Sequence, residues 1–190
     1  MIDAWVIHGY AIVSADDRIA GPDGRMPPVL HNDADWARFQ AAMDRSAVPV
    51  LGRLGHEQNP NALGRNRLVL SSSAHGVERR NDGTWWNPQA TPVREALAAA
   101  APAGGEVVVV GGRLVFDLFL EIGFDEFHLT RAARVLIPGG VAVFSGILAG
   151  RPAEEILAAH GLAAREREWL DKDADVSLVV WVPAISNQYQ

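Results

Sequence analysis

The chain contains no cysteine. Disulfides, thiolate nucleophiles and cysteine-ligated metals are therefore excluded. It lacks any long basic run, and its net charge is −6. That balance argues against general nucleic-acid binding, while a local basic pocket for a phosphorylated ligand stays open. No apolar run approaches the length of a membrane span, so no membrane partner is expected. The first residues, MIDAWVIHGY, have neither the basic flank nor the long apolar core of a signal peptide, and the expected compartment is the cytoplasm. No repeat stands out at solenoid periods. What remains is 190 residues, 48% hydrophobic and 21% charged. This suits one domain over residues 1–190 with a full core.

The chain is organised around residues 107–119, VVVVGGRLVFDLF. Four successive valines read as a strand buried on both faces. Gly111 and Gly112 follow, then Leu114, Val115, Leu118 and Phe119 at helical spacing. A glycine pair between strand and helix is an ordinary tight turn, and it also lets a ligand approach the backbone. The helix start beyond it presents unpaired N–H groups that favour an anion.

Residues 4–14 have the β-branched and aromatic density of an internal strand, with His8 expected as a packed, hydrogen-bonded residue. Residues 16–28 hold the turn formers Gly21, Pro22, Asp23 and Gly24, and predict a surface excursion or a mobile lid. Asn32 or Asp33 then caps a helix whose apolar stripe includes Trp36, Phe39 and Met43. Asp33 and Asp35 both fall in its first turn, where the dipole favours negative charge. Asp35 and Phe39 are i, i+4 and share a face. Residues 48–51 form a short strand, and Gly52-Arg53 opens a helix where Arg53 is either a solvated side chain or a phosphate ligand. Residues 68–70 make a strand closed by Ser71, Ser72 and Ser73, which act as turn residues or as ligand contacts.

Residues 84–86 read as a short strand, and Thr91 caps a helix opened by Pro92. After the central element, residues 124–130 alternate as a strand, Pro138-Gly139-Gly140 turns into another, and residues 153–160 form a helix. The tail predicts an antiparallel hairpin, residues 166–170 against 176–182. The order implies an α/β fold: a mostly parallel sheet, helices on both faces and an antiparallel C-terminal edge. In such sheets ligands settle at the carboxyl ends of the strands.

In this order the segments SADDRIAGPDGRMP, NDADWARF, VLGRLGHE, GRNRLVLSSS, VVVVGGRLVFDLFL and FDEFHLT resemble those of the dihydrofolate reductase superfamily, which includes the reductase domain of riboflavin biosynthesis. The resemblance covers nearly the whole chain and is specific to the superfamily, not to one member. It implies hydride transfer from NADPH to a pterin, folate-like or aminopyrimidine ring. Other readings of the same fold are a nucleotide- or pterin-binding protein without turnover, and a flavin reductase.

Carried over by position, Gly52 and Arg53 bind the adenosine phosphate of NADPH, and Ser71 and Ser72 lie near adenosine. Gly111 and Gly112, joined in the family by a cis peptide, abut nicotinamide and pyrophosphate together with Arg113 and Leu114. Ala20 and its loop close over nicotinamide. Asp35 holds the substrate's amino group and ring nitrogen, assisted by Thr130. Val13 and Phe39 line the substrate, and Arg65 occupies the place where folate-reducing members hold a glutamate carboxylate. The spacing to Phe39 and a count back from Gly52 point to Asp35 as the acid; a gapless count from Met26-Pro27 points to Asp33. No metal is implied. A homodimer, common among the riboflavin-type relatives, is left open. Gly55 stands where folate-reducing members usually carry Thr, and Pro28 where they usually carry Trp. These departures count against dihydrofolate more than against NADPH. The run S-x-D-x-R-I-A resembles the riboflavin-type reductases, whose phosphorylated substrate would draw on Arg25 or Arg38.

Overall fold

The computed structural model describes residues 4–184. Residues 1–3 and 185–190, the two ends of the expected 1–190 domain, lie outside the described residues. Twelve strands and five α-helices are described: β1 (Trp5–Ser14), β2 (Arg18–Ala20), α1 (Asp33–Arg45), β3 (Val48–Gly52), α2 (Arg53–Gln58), β4 (Leu68–Leu70), β5 (Val77–Arg80), β6 (Gly83–Trp86), α3 (Val93–Ala100), β7 (Gly105–Gly111), α4 (Arg113–Ile122), β8 (Glu126–Ala132), β9 (Val141–Ala142), α5 (Ala153–Ala159), β10 (Leu162–Ala164), β11 (Glu168–Asp171) and β12 (Val176–Pro183). Among the described residues no helix is long and apolar enough to cross a membrane.

The main sheet runs β10-β12-β8-β1-β7-β3-β4-β6-β5, with β11 paired to β12. From β8 to β6 every pairing is parallel, and β12 turns antiparallel against β8. This is the expected architecture: a largely parallel sheet with an antiparallel C-terminal edge. Val107, Val108 and Val109 at its centre are wholly buried. Their alternating side chains reach helices on both faces. Ala42 and Met43 of α1 pack on Val108. The opposite face carries α3, α4 and α5 through residues such as Leu97, Phe116, Phe119 and Ile156.

Differences from the sequence reading are local. β5 (VERR) carries no apolar alternation and is held by pairing with β6. The 16–28 segment contains β2, tied antiparallel to β9, so its first part is a strand pair where an excursion or lid is expected. The α3 N-cap is Pro92, one residue after the expected Thr91, whose carbonyl instead accepts from Trp86 Nε1 at 2.8 Å. Trp85, Trp86 and Trp181 are buried, whereas Trp36 and Trp169 are exposed.

The aromatic cluster under β1 explains Gly9. Phe127 packs with Phe116, Phe124 and Phe144 at centroid distances of 5.1–5.5 Å. A Cβ on Gly9 would lie 2.4 Å from Phe127 Cδ2 and 2.9 Å from Phe124 Cε1. Neither ring has room to retreat. Gly9→Ala should therefore cost about 1–3 kcal/mol through overpacking, read as a lower urea midpoint. Gly55→Ala, whose Cβ would meet only Leu51 Cδ1 at 4.0 Å, should leave the midpoint unchanged or raise it. Equal midpoints for the two variants would contradict this packing.

Candidate active site

Five parallel strands end on one edge. In sheet order, β4, β3, β7, β1 and β8 finish at Leu70, Gly52, Gly111, Ser14 and Ala132. At about 4.8 Å per strand, this edge is roughly 19 Å long. Leu51 of β3 is in register with Gly111 of β7, so α2 and α4 begin side by side. A Cβ on Gly52 would already meet Val115 Cγ2 of α4 at 3.4 Å.

The glycine pair turns without a cis bond: among the described residues no peptide is cis, which corrects the geometry implied by the resemblance. Gly111 instead has φ +117° and Gly112 φ +45°, backbone values that glycine reaches at no steric cost. Gly112 is the N-cap of α4, no side chain caps that helix, and nothing lies within 4 Å of where a Gly112 Cβ would stand. Beside it, Arg113 Nε is buried without a hydrogen-bond partner. The pair thus offers an open, donor-rich cradle.

The acid comes from α1. Asn32 Oδ1 accepts from the backbone N–H groups of Ala34 and Asp35, each at 3.1 Å. Capping is thereby met without either aspartate. Asp33 is fully exposed and bonds His31 at 3.0 Å. Asp35 is half-buried, with the Thr130 hydroxyl near enough to its carboxyl to act on its pKa. Burial raises its pKa; the Thr130 hydroxyl, then the charges of Arg38 and His31, oppose that rise without cancelling it. Phe39, one turn on, packs against Trp36 and Tyr10 at 5.6 and 6.4 Å.

Thr130 sits opposite Ile12 on β1, so these two share a sheet face. Val13 points the other way, wholly buried in the core, and offers this face only backbone. Ile12 is a neighbour that sequence reasoning missed. Its signal was strand parity: residues two apart from Tyr10 face the same helix.

Around the edge, Ala20 is buried on β2, and its carbonyl would lie 2.4 Å from a Cβ on Gly140. Arg53 and Leu114 are exposed at the starts of α2 and α4, and Arg53 lies 3.7 Å from Glu57. Ser71 Oγ is 2.8 Å from Ser73 Oγ, while Ser72 is exposed. Arg131 binds Asp17 at 2.6 Å, Glu154 at 2.7 Å and the Ser14 carbonyl at 3.0 Å. It thus locks the ends of β8 and β1 together. Asp16 is buried in part, which opposes its charge. Hydrogen bonds from the Ser14 hydroxyl and the Ile137 N–H prevail and hold its carboxyl below the usual range. Neither Asp16 nor Arg131 was singled out from sequence.

Arg65 does not join this group. Its guanidinium binds Asp44 at 2.5 Å and Gln40 at 3.3 Å near the far end of α1. There it lines a hollow of about 520 Å³ with Arg79 and Arg80. A second hollow, about 410 Å³, lies between residues 29–34, Val135 and Leu170. Neither hollow includes Asp35 or the glycine pair.

No family model matches the chain, and no curated protein matches it in sequence. Solved structures do. A dihydrofolate reductase from Enterococcus faecalis, complexed with NADP(H) and RAB-propyl, superposes with a TM-score of 0.63 at 16% identity over 93% of this chain and 95% of its own. A Thermotoga maritima diaminohydroxyphosphoribosylaminopyrimidine deaminase/5-amino-6-(5-phosphoribosylamino)uracil reductase gives 0.64 at 15% identity over 96% of this chain; the match spans only 57% of that longer protein. A Shewanella sp. PV-4 structure, provisionally described as a riboflavin biosynthesis protein, gives 0.60 at 20% identity over 93% of this chain and 98% of its own. The chain therefore has the dihydrofolate reductase-like fold.

The raised pKa of Asp35 has a sign that stability reports. An aspartate whose folded pKa exceeds its ordinary 3.8 leaves the folded state binding more protons than the unfolded one. Its stabilisation is complete below 3.8 and is lost as pH rises through the folded value. Asp35→Asn removes that loss, so it should raise Tm at neutral pH, with the gain shrinking as pH falls toward 3.8. A gain that grows in acid would contradict the burial assigned to Asp35.

Proposed function

We propose that the chain is an NADPH-dependent reductase acting on a pterin-like or aminopyrimidine ring. The observation that carries this reading is the half-buried Asp35 carboxylate facing Thr130 on the edge that also bears the open Gly111-Gly112 cradle. The residues present fit the cofactor. The uncapped start of α4 and the unpartnered Arg113 Nε suit a pyrophosphate. Arg53, exposed at the start of α2, suits a further phosphate, and Ser71 and Ser72 extend the edge toward an adenosine.

NADPH, when bound, supplies the hydride. The chain's own contribution is placement and proton control. Asp35 accepts paired hydrogen bonds from an amino group and an adjacent ring nitrogen, which fixes the ring in its plane. Its charge favours protonation of the nitrogen next to the carbon that gains hydride. Thr130 holds the carboxylate in its rotamer through the hydroxyl. Phe39 and Ile12 offer an apolar wall. Ala20 on the tied β2–β9 pair would help hold the cofactor's nicotinamide end. The largest part of the rate would come from holding cofactor and substrate together in a fixed orientation.

Arg65 is engaged by Asp44 and is given no substrate role here. Arg38 also has a carboxylate partner, Glu168, but its charge reaches the Asp35 carboxyl, which makes it the better candidate for a substrate's anionic group.

Mixing protein, NADPH and a panel of dihydropterins, dihydrofolate and ribosylaminopyrimidines, and following nicotinamide absorbance, tests the activity. Asp35→Asn should slow the hydride step about 10²–10⁴-fold with little change in NADPH affinity, while Asp33→Asn should not. A loss confined to Asp33→Asn would move the acid. Arg53→Ala should weaken NADPH about tenfold and NADH far less; equal weakening would dismiss the phosphate role. NADPH binding with no oxidation by any ring in the panel would favour a binding protein without turnover.

A further inference from the structure

Away from this edge, the sheet face beneath α1 carries a second polar group. His8 of β1 lies opposite Glu126 of β8, and Tyr10 opposite His128. All four side chains point to the same face. α1 stops short of them: it ends at Arg45, whose guanidinium bonds the Tyr10 hydroxyl at 3.0 Å and Glu106 at 2.8 Å. His8, Glu126 and His128 are left partly open to solvent at the amino end of the strands, with side-chain exposures of 17%, 36% and 19%.

These three offer ligand atoms that all lie within 4.8 Å of one another. His128 Nε2 is 3.0 Å from Glu126 Oε2, close to the separation of two donors on one small cation. Both imidazoles are held in place. The Tyr10 ring stacks on His128 at 4.3 Å and 7°. His8 Nδ1 lies 3.1 Å from Glu106 Oε1. A carboxylate on Nδ1 makes that nitrogen the donor and leaves Nε2 with the lone pair, the arrangement that orients metal-binding histidines. Arg45 neutralises Glu106, so the charge left facing the imidazoles is that of Glu126.

We propose that His8, His128 and Glu126 bind a divalent first-row transition ion, with Zn²⁺ the foremost candidate. Two imidazoles and one carboxylate are its donor set, whereas Mg²⁺ and Ca²⁺ prefer oxygen alone. The ligands stand on two adjacent strands whose register fixes them, so little ordering is needed on binding. The solvent-facing side gives an entry path and leaves the fourth position to water. His8 is about 16 Å along β1 from Val13, so the ion would clip β1 to β8 and not touch reacting atoms. The site stands whether or not the chain turns over a substrate.

The test uses the full chain, stripped with EDTA and titrated with CoCl₂ and then ZnCl₂. One Co²⁺ per chain should give visible ligand-field bands that Zn²⁺ displaces, and Zn²⁺ should raise Tm. Glu106→Gln should weaken Zn²⁺ affinity about tenfold. His8→Gln combined with His128→Gln should abolish both signals, with far-UV circular dichroism in EDTA showing that the variant folds. If the double variant fails to fold, Glu126→Gln alone should still weaken binding. Absence of a one-to-one Co²⁺ spectrum, or a spectrum unchanged in whichever of these ligand variants folds, would overturn the proposal.

Discussion

The parallel register of β3 and β7, Leu51 against Gly111, is the constraint on which the rest depends. It brings two helix starts together at one edge and leaves Gly112 open to whatever approaches. The pairing steps by one residue there: Val50 meets Val109 and Leu51 meets Gly111, skipping Val110. Gly111 takes φ +117°, and a Cβ on it would meet Phe116 Cε2 at 3.2 Å, so glycine suits this strand end. Packing in the core thus sets the geometry of a polar site.

The second requirement is a charge kept partly out of water. Asp35 stands where burial raises its pKa, which costs stability and yields a carboxyl poised to hold a protonated ring. Asn32 makes this workable. By capping α1 it leaves Asp35 free of the backbone, and Thr130 supplies a hydroxyl partner from the neighbouring sheet. The clamp of Arg131 on Asp17, Glu154 and the Ser14 carbonyl holds β1 and β8 so that Thr130 stays in place.

Much of this was legible in the sequence because it rests on local signals. The valine run, the glycine pair, the Asn32 cap and the Asp35–Phe39 spacing all lie within a few residues of one another. What was not legible needs distant information. Strand parity separates Val13 from Tyr10 and Ile12, but which of the two faces meets α1 is settled only by the packed sheet. The trans Gly111–Gly112 bond is a backbone choice with no composition signal. Arg65 is bound by Asp44, 21 residues away, an ion pair that no spacing rule announces. β5 is held by its hairpin partner against its own composition. The His8, Glu126 and His128 group appears only when β1 and β8 are aligned, more than a hundred residues apart in sequence.

The central claim is spatial: a dinucleotide lies along the strand ends and faces a flat ring held by Asp35. A crystal structure of the chain grown with NADPH measures this directly. The account predicts density running from Ser71 past Gly112, with the nicotinamide beside Ala20 and open toward Asp35. Cofactor density at the hollow lined by Arg65, Arg79 and Arg80, or a nicotinamide turned away from Asp35, would contradict it.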